Sequence, residues 1–325
     1  MRRRALIANL GVAAVVSPRA AHAQSRPMPV IGFLGLGTAA EYAPWVAAVQ
    51  LGLGDTGYAV GQNVAMEYLW AEGNMDWLPA LAADFVIRKV SVIITTGGNN
   101  GILAAKSATS TIPAIFIGGG DLVGMGIVSS LARPSGNLTG FTIMATELMP
   151  KRFELLSELV PAARTIALLV NPKSLNDWIP AVEIVARERG VQLPILLAAN
   201  SGEIDTAFAS LGDLHAGALL LGGNPVFNNR REQMVALAAR YAIPVMHEWR
   251  ESVELGGLCS YAPNLAGLWR QVGAYAGRIL SGVRPADLPI QEPSKFYFVI
   301  NLKTAKAPGL TIPQSILART DEVIE

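Results

Sequence analysis

Cysteine is nearly absent from this chain of 325 residues: Cys259 is the only one, so no intrachain disulfide can form. It stands between Leu258 and Ser260 on an apolar stretch, the setting of a buried structural thiol rather than a nucleophile. Histidine is scarce as well, and past residue 23 only His215 and His247 remain. The chain has no HExxH, no Cys/His cluster, no GxSxG and no Walker sequence ending in GK[ST], which argues against zinc hydrolases, nucleophile-elbow esterases and P-loop NTPases. Neither an enzyme nor a metal centre is expected. Charged residues make up only 16%. Setting aside Arg2, Arg3, Arg4 and Arg19 leaves 22 basic against 25 acidic side chains, a net charge of −3, which does not suit a nucleic-acid binder. Past the N-terminal segment no apolar run approaches 18 residues without charge or proline, so no membrane-spanning helix is expected.

What the chain has in quantity is apolar surface, 51% of residues, the composition of a globular protein. Its length suits two compact units. Residues 1–23 form a separate piece: three arginines, an apolar run from Ala5 to Val16, then Ala21-His22-Ala23 before Gln24. That is the layout of a cleavable signal peptide. The run is too short to span a bilayer, which takes about 20 helical residues. Arg2 to Arg4 ahead of Ala5-Leu6-Ile7 also resembles a twin-arginine signal, so the segment fits export by the Sec or the Tat route. The mature chain is expected outside the cytoplasm.

Beyond it, short apolar runs recur at Val30–Leu34, Val64–Tyr68, Val90–Thr95, Ala114–Ile117, Thr165–Val170, Val191–Leu197, Ala216–Leu221 and Pro244–Met246. Continuous apolar strands are buried on both faces, as in parallel sheets. Helix-length segments lie between them, with apolar residues at three- and four-residue spacing: Trp77, Leu78, Leu81, Phe85 and Val86, or Met234, Leu237, Ala238 and Tyr241. This alternation predicts a doubly wound α/β fold. The halves also rhyme. Gly97-Gly98-Asn99 follows one strand and Gly222-Gly223-Asn224 another, each leading through a helix to an Ile-Pro strand start. Two similar lobes follow. The expected crossings are the turn-rich Arg133–Asn137 with the short extended run Leu138–Thr142 after it, Leu258–Pro263, and a stretch near Leu288–Pro293, which makes a three-segment hinge. The expected lobes are residues 28–140 with about 263–287, and residues 141–262 with about 288–325.

Ligands of open α/β sheets sit outside the carboxyl ends of the strands. Glycine-rich loops occupy those places here: Gly35-Leu36-Gly37-Thr38-Ala39-Ala40, Thr96-Gly97-Gly98, Gly118-Gly119-Gly120-Asp121 and Gly222-Gly223-Asn224. Backbone N–H groups and a helix N-terminus there suit a carboxylate. Asp121 and Glu248 are the candidate partners for a positive group, with a helix N-cap as the other reading of Asp121. Trp45, Trp178, Trp249 and Tyr261 are candidates for stacking on a flat ligand, or equally for core packing. The first loop has the GxGxxA shape of a dinucleotide site. Pro44 places the following helix start near Glu41, however, and Glu67 stands 32 residues after Gly35 instead of the usual 20 or so.

Ordered blocks of sequence carry a family resemblance. They include Gly52-Leu53 with Gly57-Tyr58, Glu67-Tyr68 with Trp70-Ala71-Glu72-Gly73, and Leu78-Pro79-Ala80-Leu81-Ala82-Ala83. Ala104-Ala105-Lys106, Arg133-Pro134, Gly136-Asn137, Lys151-Arg152 with Glu154-Leu155-Leu156, Leu168–Pro172, Pro263-Asn264-Leu265 and Ile300–Ala305 continue them. From Ile31 to Ile324 the chain resembles the ABC-transporter substrate-binding proteins of the tryptophan/tyrosine-binding type. The resemblance implies a type I periplasmic binding protein without catalysis or cofactor, a monomer that closes on an amino acid and delivers it to an inner-membrane permease. It places ligand contacts on Gly37 and Thr38, on Thr96, Gly97 and Gly98, and on Gly118, Gly119, Gly120 and Asp121. In the second lobe they fall on Asn171, Asn224 and Glu248. Relatives usually read Gly-Asp-Pro-Val where this chain has Gly120-Asp121-Leu122-Val123. An exported nicotinamide-dependent oxidoreductase and a ligand-sensing domain of a membrane receptor stand as alternatives.

Overall fold

The computed structural model describes residues 27–134, 136–174, 176–306 and 309–325; the expected signal segment lies outside them. Strands β1 (Val30–Gly35), β2 (Ala65–Trp70), β3 (Val92–Thr95), β4 (Ala114–Gly118) and β5 (Leu138–Thr142) form one sheet in the order β2-β1-β3-β4-β5, with every pairing parallel. Helices α1 (Ala39–Gly54), α2 (Leu78–Ile87) and α3 (Gly98–Ala108) fill the crossovers. The central strands are apolar throughout because both faces are covered. Phe85, Ile93 and Phe116 pack on the α2–α3 side, and Phe33, Ile94 and Ile115 on the opposite side with α1.

The chain then builds a second unit from α4 (Ala145–Leu159), β6 (Ile166–Val170), α5 (Ile179–Glu188), β7 (Ile195–Leu197), α6 (Ser201–Ser210), β8 (Ala218–Leu221), α7 (Pro225–Asn229), α8 (Arg231–Arg240), β9 (Val245–His247), α9 (Arg250–Glu254) and β10 (Cys259–Ala262). Helix α10 (Leu265–Leu280) returns to the first lobe, while β11 (Tyr297–Asn301) and β12 (Glu322–Ile324) complete the second sheet, ordered β12-β11-β10-β9-β8-β6-β7. Only the β10–β11 pairing is antiparallel among the described strands. The α10 return depends on close backbone approach to α1: a Cβ at Gly52 would overlap the Arg270 carbonyl, and one at Gly273 the Val49 carbonyl. Only glycine fits there.

The expected α/β architecture is present, with its details shifted. Leu138–Thr142, read as a short extended run in the first crossing, is strand β5 and pairs with β4, whereas Leu258–Ala262, read as the second crossing, is largely strand β10 between β9 and β11. Phe141 and Leu288 both pack in the first lobe's core, so the first and third crossings fall a few residues later than the sequence places them. Helix α1 starts at Ala39 rather than near Glu41, and Pro44 lies inside it. A capping box is the physical reason. Thr38 Oγ1 accepts from Glu41 N at 3.4 Å, and Glu41 Oε2 accepts from Thr38 N at 2.8 Å, which fixes the helix start ahead of the proline's own preference. Trp77 and Tyr241, counted on apolar helix faces, are 50% and 38% exposed.

Candidate ligand site between the lobes

The carboxyl ends of both sheets face one another, and the lobes touch across the gap. Asn100 Nδ2 donates to the Lys173 carbonyl at 3.0 Å, and Lys173 Nζ pairs with Asp76 at 2.7 Å. Asp121 N donates to Asp177 Oδ2 at 3.0 Å. Val226, at the start of α7 in the second lobe, packs into the first lobe's core beside Leu36 and Leu78.

These contacts border a partly open cavity of about 130 Å³. A single water needs about 10–15 Å³ by such a measure, so about ten water-sized groups fit, the scale of a free amino acid. One wall is the Gly97-Gly98 turn at the start of α3, with φ of +91° and +60°, left-handed values that glycine adopts without strain. They aim the first, unpaired N–H groups of α3 into the gap. Gly118, Gly119 and Gly120 form the adjacent wall. From the second lobe come Asn224, which caps α7 by accepting from Val226 N at 2.8 Å, and the segment after β9 that carries Glu248 and Trp249.

Trp45, Trp178, Trp249 and Trp269 all line the cavity, four of the chain's six tryptophans. Tyr42 joins them, and burial pushes its phenol up to about 12, so it remains a neutral donor. Glu248 is 4% exposed and accepts from Asn228 Nδ2 at 2.7 Å. Nearby Glu251 has a buried Oε2 without a partner, and burial raises its pKa. Asp177 and Arg231 complete the charged lining. Carboxylates therefore outnumber cations around an aromatic-walled space, which suits a ligand with a positive group and a flat apolar body.

Of the residues singled out in the sequence, Thr96, Gly97, Gly98, Asn99, Gly118, Gly119, Gly120, Gly223, Asn224, Glu248, Trp45, Trp178 and Trp249 line this cavity. The others stand apart from it. Gly37 and Thr38 belong to the capped start of α1, where the capping box already satisfies N–H groups a pyrophosphate would need. Asp121 is exposed, and its Oδ1 accepts from Val123 N at 3.2 Å and Gly124 N at 2.8 Å; the turn-capping reading, not the cation-binding one, describes it. Asn171 lies behind Asn224, with Oδ1 taken by Lys173 N at 2.9 Å. Tyr261 packs on Phe296 and Phe298. The sequence reading missed Tyr42, Asp177, Asn228, Arg231, Glu251 and Trp269. These lie on or beside helices whose cavity-facing turn no local motif marks.

A two-lobed α/β protein with its hinge in three segments and an aromatic-walled cavity at the lobe interface has the architecture of a type I periplasmic solute-binding protein. A family model described as ABC transporter substrate binding protein matches residues 42–324. The chain belongs to that family, whose members bind solutes and are not enzymes. It is 26% identical to a tyrosine-binding protein of Clostridioides difficile over 263 residues, 78% of this chain and 73% of that one. Among solved structures it is similar to a conserved domain protein of Vibrio cholerae, with TM-score 0.82 and 25% identity over 91% of this chain and 99% of that one. It is also similar to the ABC domain in complex with L-Trp from Streptococcus pneumonia, with TM-score 0.79 and 24% identity over the same shares. A ligand-free, open substrate-binding protein of Clostridium difficile, 22% identical over 91% and 99%, superposes less well, with TM-score 0.62.

Proposed function

We propose that this chain is the extracytoplasmic receptor of an ABC uptake system, a monomer exported by residues 1–23. It holds an amino acid with an aromatic side chain between its lobes and hands it to a membrane permease. One observation carries this reading: four tryptophans and the buried Glu248 line one cavity at the lobe interface. The ligand ammonium pairs with Glu248 and Glu251. Its carboxylate meets the α3 N-terminus and the Gly118–Gly120 loop, where N–H groups and the helix dipole favour negative charge. Its ring lies among the tryptophans. The tyrosine-binding relative and the L-Trp complex support the choice of ligand.

Closure requires that the ligand bind the closed form better than the open one. A micromolar affinity corresponds to about −8 kcal/mol, whereas one charge-assisted hydrogen bond contributes roughly 1.5–3 kcal/mol. Contacts from both lobes and burial of the ring must supply the remainder. Calorimetric titration with L-tryptophan, L-tyrosine, tryptamine and indole-3-propionate tests the proposal. The two amino acids should bind at micromolar concentration. Tryptamine, which lacks the carboxylate, and indole-3-propionate, which lacks the ammonium, should each bind at least tenfold more weakly. No heat from either amino acid would remove the reading.

A further inference from the structure

Arg152 is the largest fully buried side chain of the protein, at 0% exposure on α4, and it makes no carboxylate salt bridge among the described residues. A buried guanidinium is costly unless its donors are satisfied and its charge is used. Its donors go to two carbonyls and a thioether: Nε to Tyr261 O at 2.7 Å, Nη2 to Glu248 O at 3.4 Å and Nη1 to Met149 Sδ at 3.4 Å. Those carbonyls stand just past the paired register of His247 and Ser260, at the ends of neighbouring strands β9 and β10. The first strand carries Glu248 and Trp249 into the cavity. The second runs through Pro263 and Asn264 into α10, which returns to the first lobe with Trp269.

We propose that Arg152 is a positioning residue that fastens the Glu248–Trp249 segment to the second interlobe crossing and so links occupancy of the cavity to the hinge. The inference rests on the amino-acid reading of that cavity for its ligand, but not for its geometry. Burial lowers the Arg152 pKa and the charge of Glu248 offsets part of that effect, which is consistent with the two groups sensing one another. Lysine cannot reproduce the arrangement, because it presents a single ammonium where the guanidinium spreads donors over a rigid fork.

The test compares wild type, Arg152→Met and Arg152→Lys as full mature chains. Ligand-free hydrogen exchange, read by mass spectrometry, should accelerate in Arg152→Met at residues 247–250 and 261–264 ahead of the rest of the second lobe. Calorimetry with L-tryptophan should show affinity reduced tenfold or more in Arg152→Met. In Arg152→Lys the loss should be smaller, and the double variant with Glu248→Gln should lose less than the product of the two single losses. Should Arg152→Met fail to fold, Arg152→Lys carries the same two readouts. A residue that only supports the fold would lower the melting temperature, leave affinity within twofold of wild type and speed exchange uniformly; that result overturns the proposal. Wild type that binds neither L-tryptophan nor L-tyrosine would overturn the ligand reading, and the exchange pattern alone would then support or overturn the role of Arg152.

Discussion

Acidification should weaken the second lobe through one imidazole. His247 lies on β9 directly before Glu248, is 1% exposed, and its Nε2 has no partner. The ring is close enough to Gly257 that an added Cβ would stand 2.8 Å from Nε2. Burial pushes the imidazole from its ordinary 6.5 down to about 4. Between those two values the unfolded chain binds the proton that the folded chain refuses, so stability rises with pH across the window. The contribution is complete above about 6.5 and is lost as pH falls towards 4. At about 1.4 kcal/mol for each tenfold difference in proton affinity, the whole effect is about 3 kcal/mol. Urea unfolding from pH 7 to pH 4 measures it, with His247→Leu as the reference that carries no titrating ring. The stability difference between wild type and variant should change by about 3 kcal/mol over that range. A difference that stays constant with pH would refute the argument, since it would mean that His247 titrates normally in the folded state.

Glu248→Gln should weaken L-tryptophan binding about tenfold to a hundredfold, the loss of one charge-assisted contact, whereas Asp121→Ala should change it less than twofold; calorimetry reads both. Gly52→Ala forces a methyl group onto the Arg270 carbonyl and should cost about 1–3 kcal/mol of stability in urea unfolding. Cys259 is fully buried and burial pushes its thiol pKa upward, so a water-soluble disulfide reagent should label it only after the protein unfolds.

The sequence disclosed elements where one local signal dominates. Eight apolar runs correspond to β1–β4 and β6–β9; the central ones are apolar because parallel strands inside a sheet are covered on both faces, while the edge strands β2 and β7 are apolar yet only partly buried. Where signals compete, the reading went astray. Pro44 outvoted the Thr38–Glu41 capping box, and the residues around β10 hid a strand that leads into a crossing. Short β12 has too few residues to show a pattern. At the site, the glycine loops and Glu248 were visible because they follow strands directly. Glu251, Arg231 and Trp269 were not, since a helix contributes only one turn to a cavity and its position depends on how the lobes meet. Asp121 misled because an aspartate after glycines serves equally as a turn cap.

A crystal structure of the mature chain grown with L-tryptophan would show where the ligand sits. One molecule is expected between the lobes, its ring among Trp45, Trp178, Trp249 and Trp269, and its ammonium about 3 Å from a Glu248 oxygen. L-tryptophan found outside that cavity, or inside it with the carboxylate turned towards Glu248, would refute this placement.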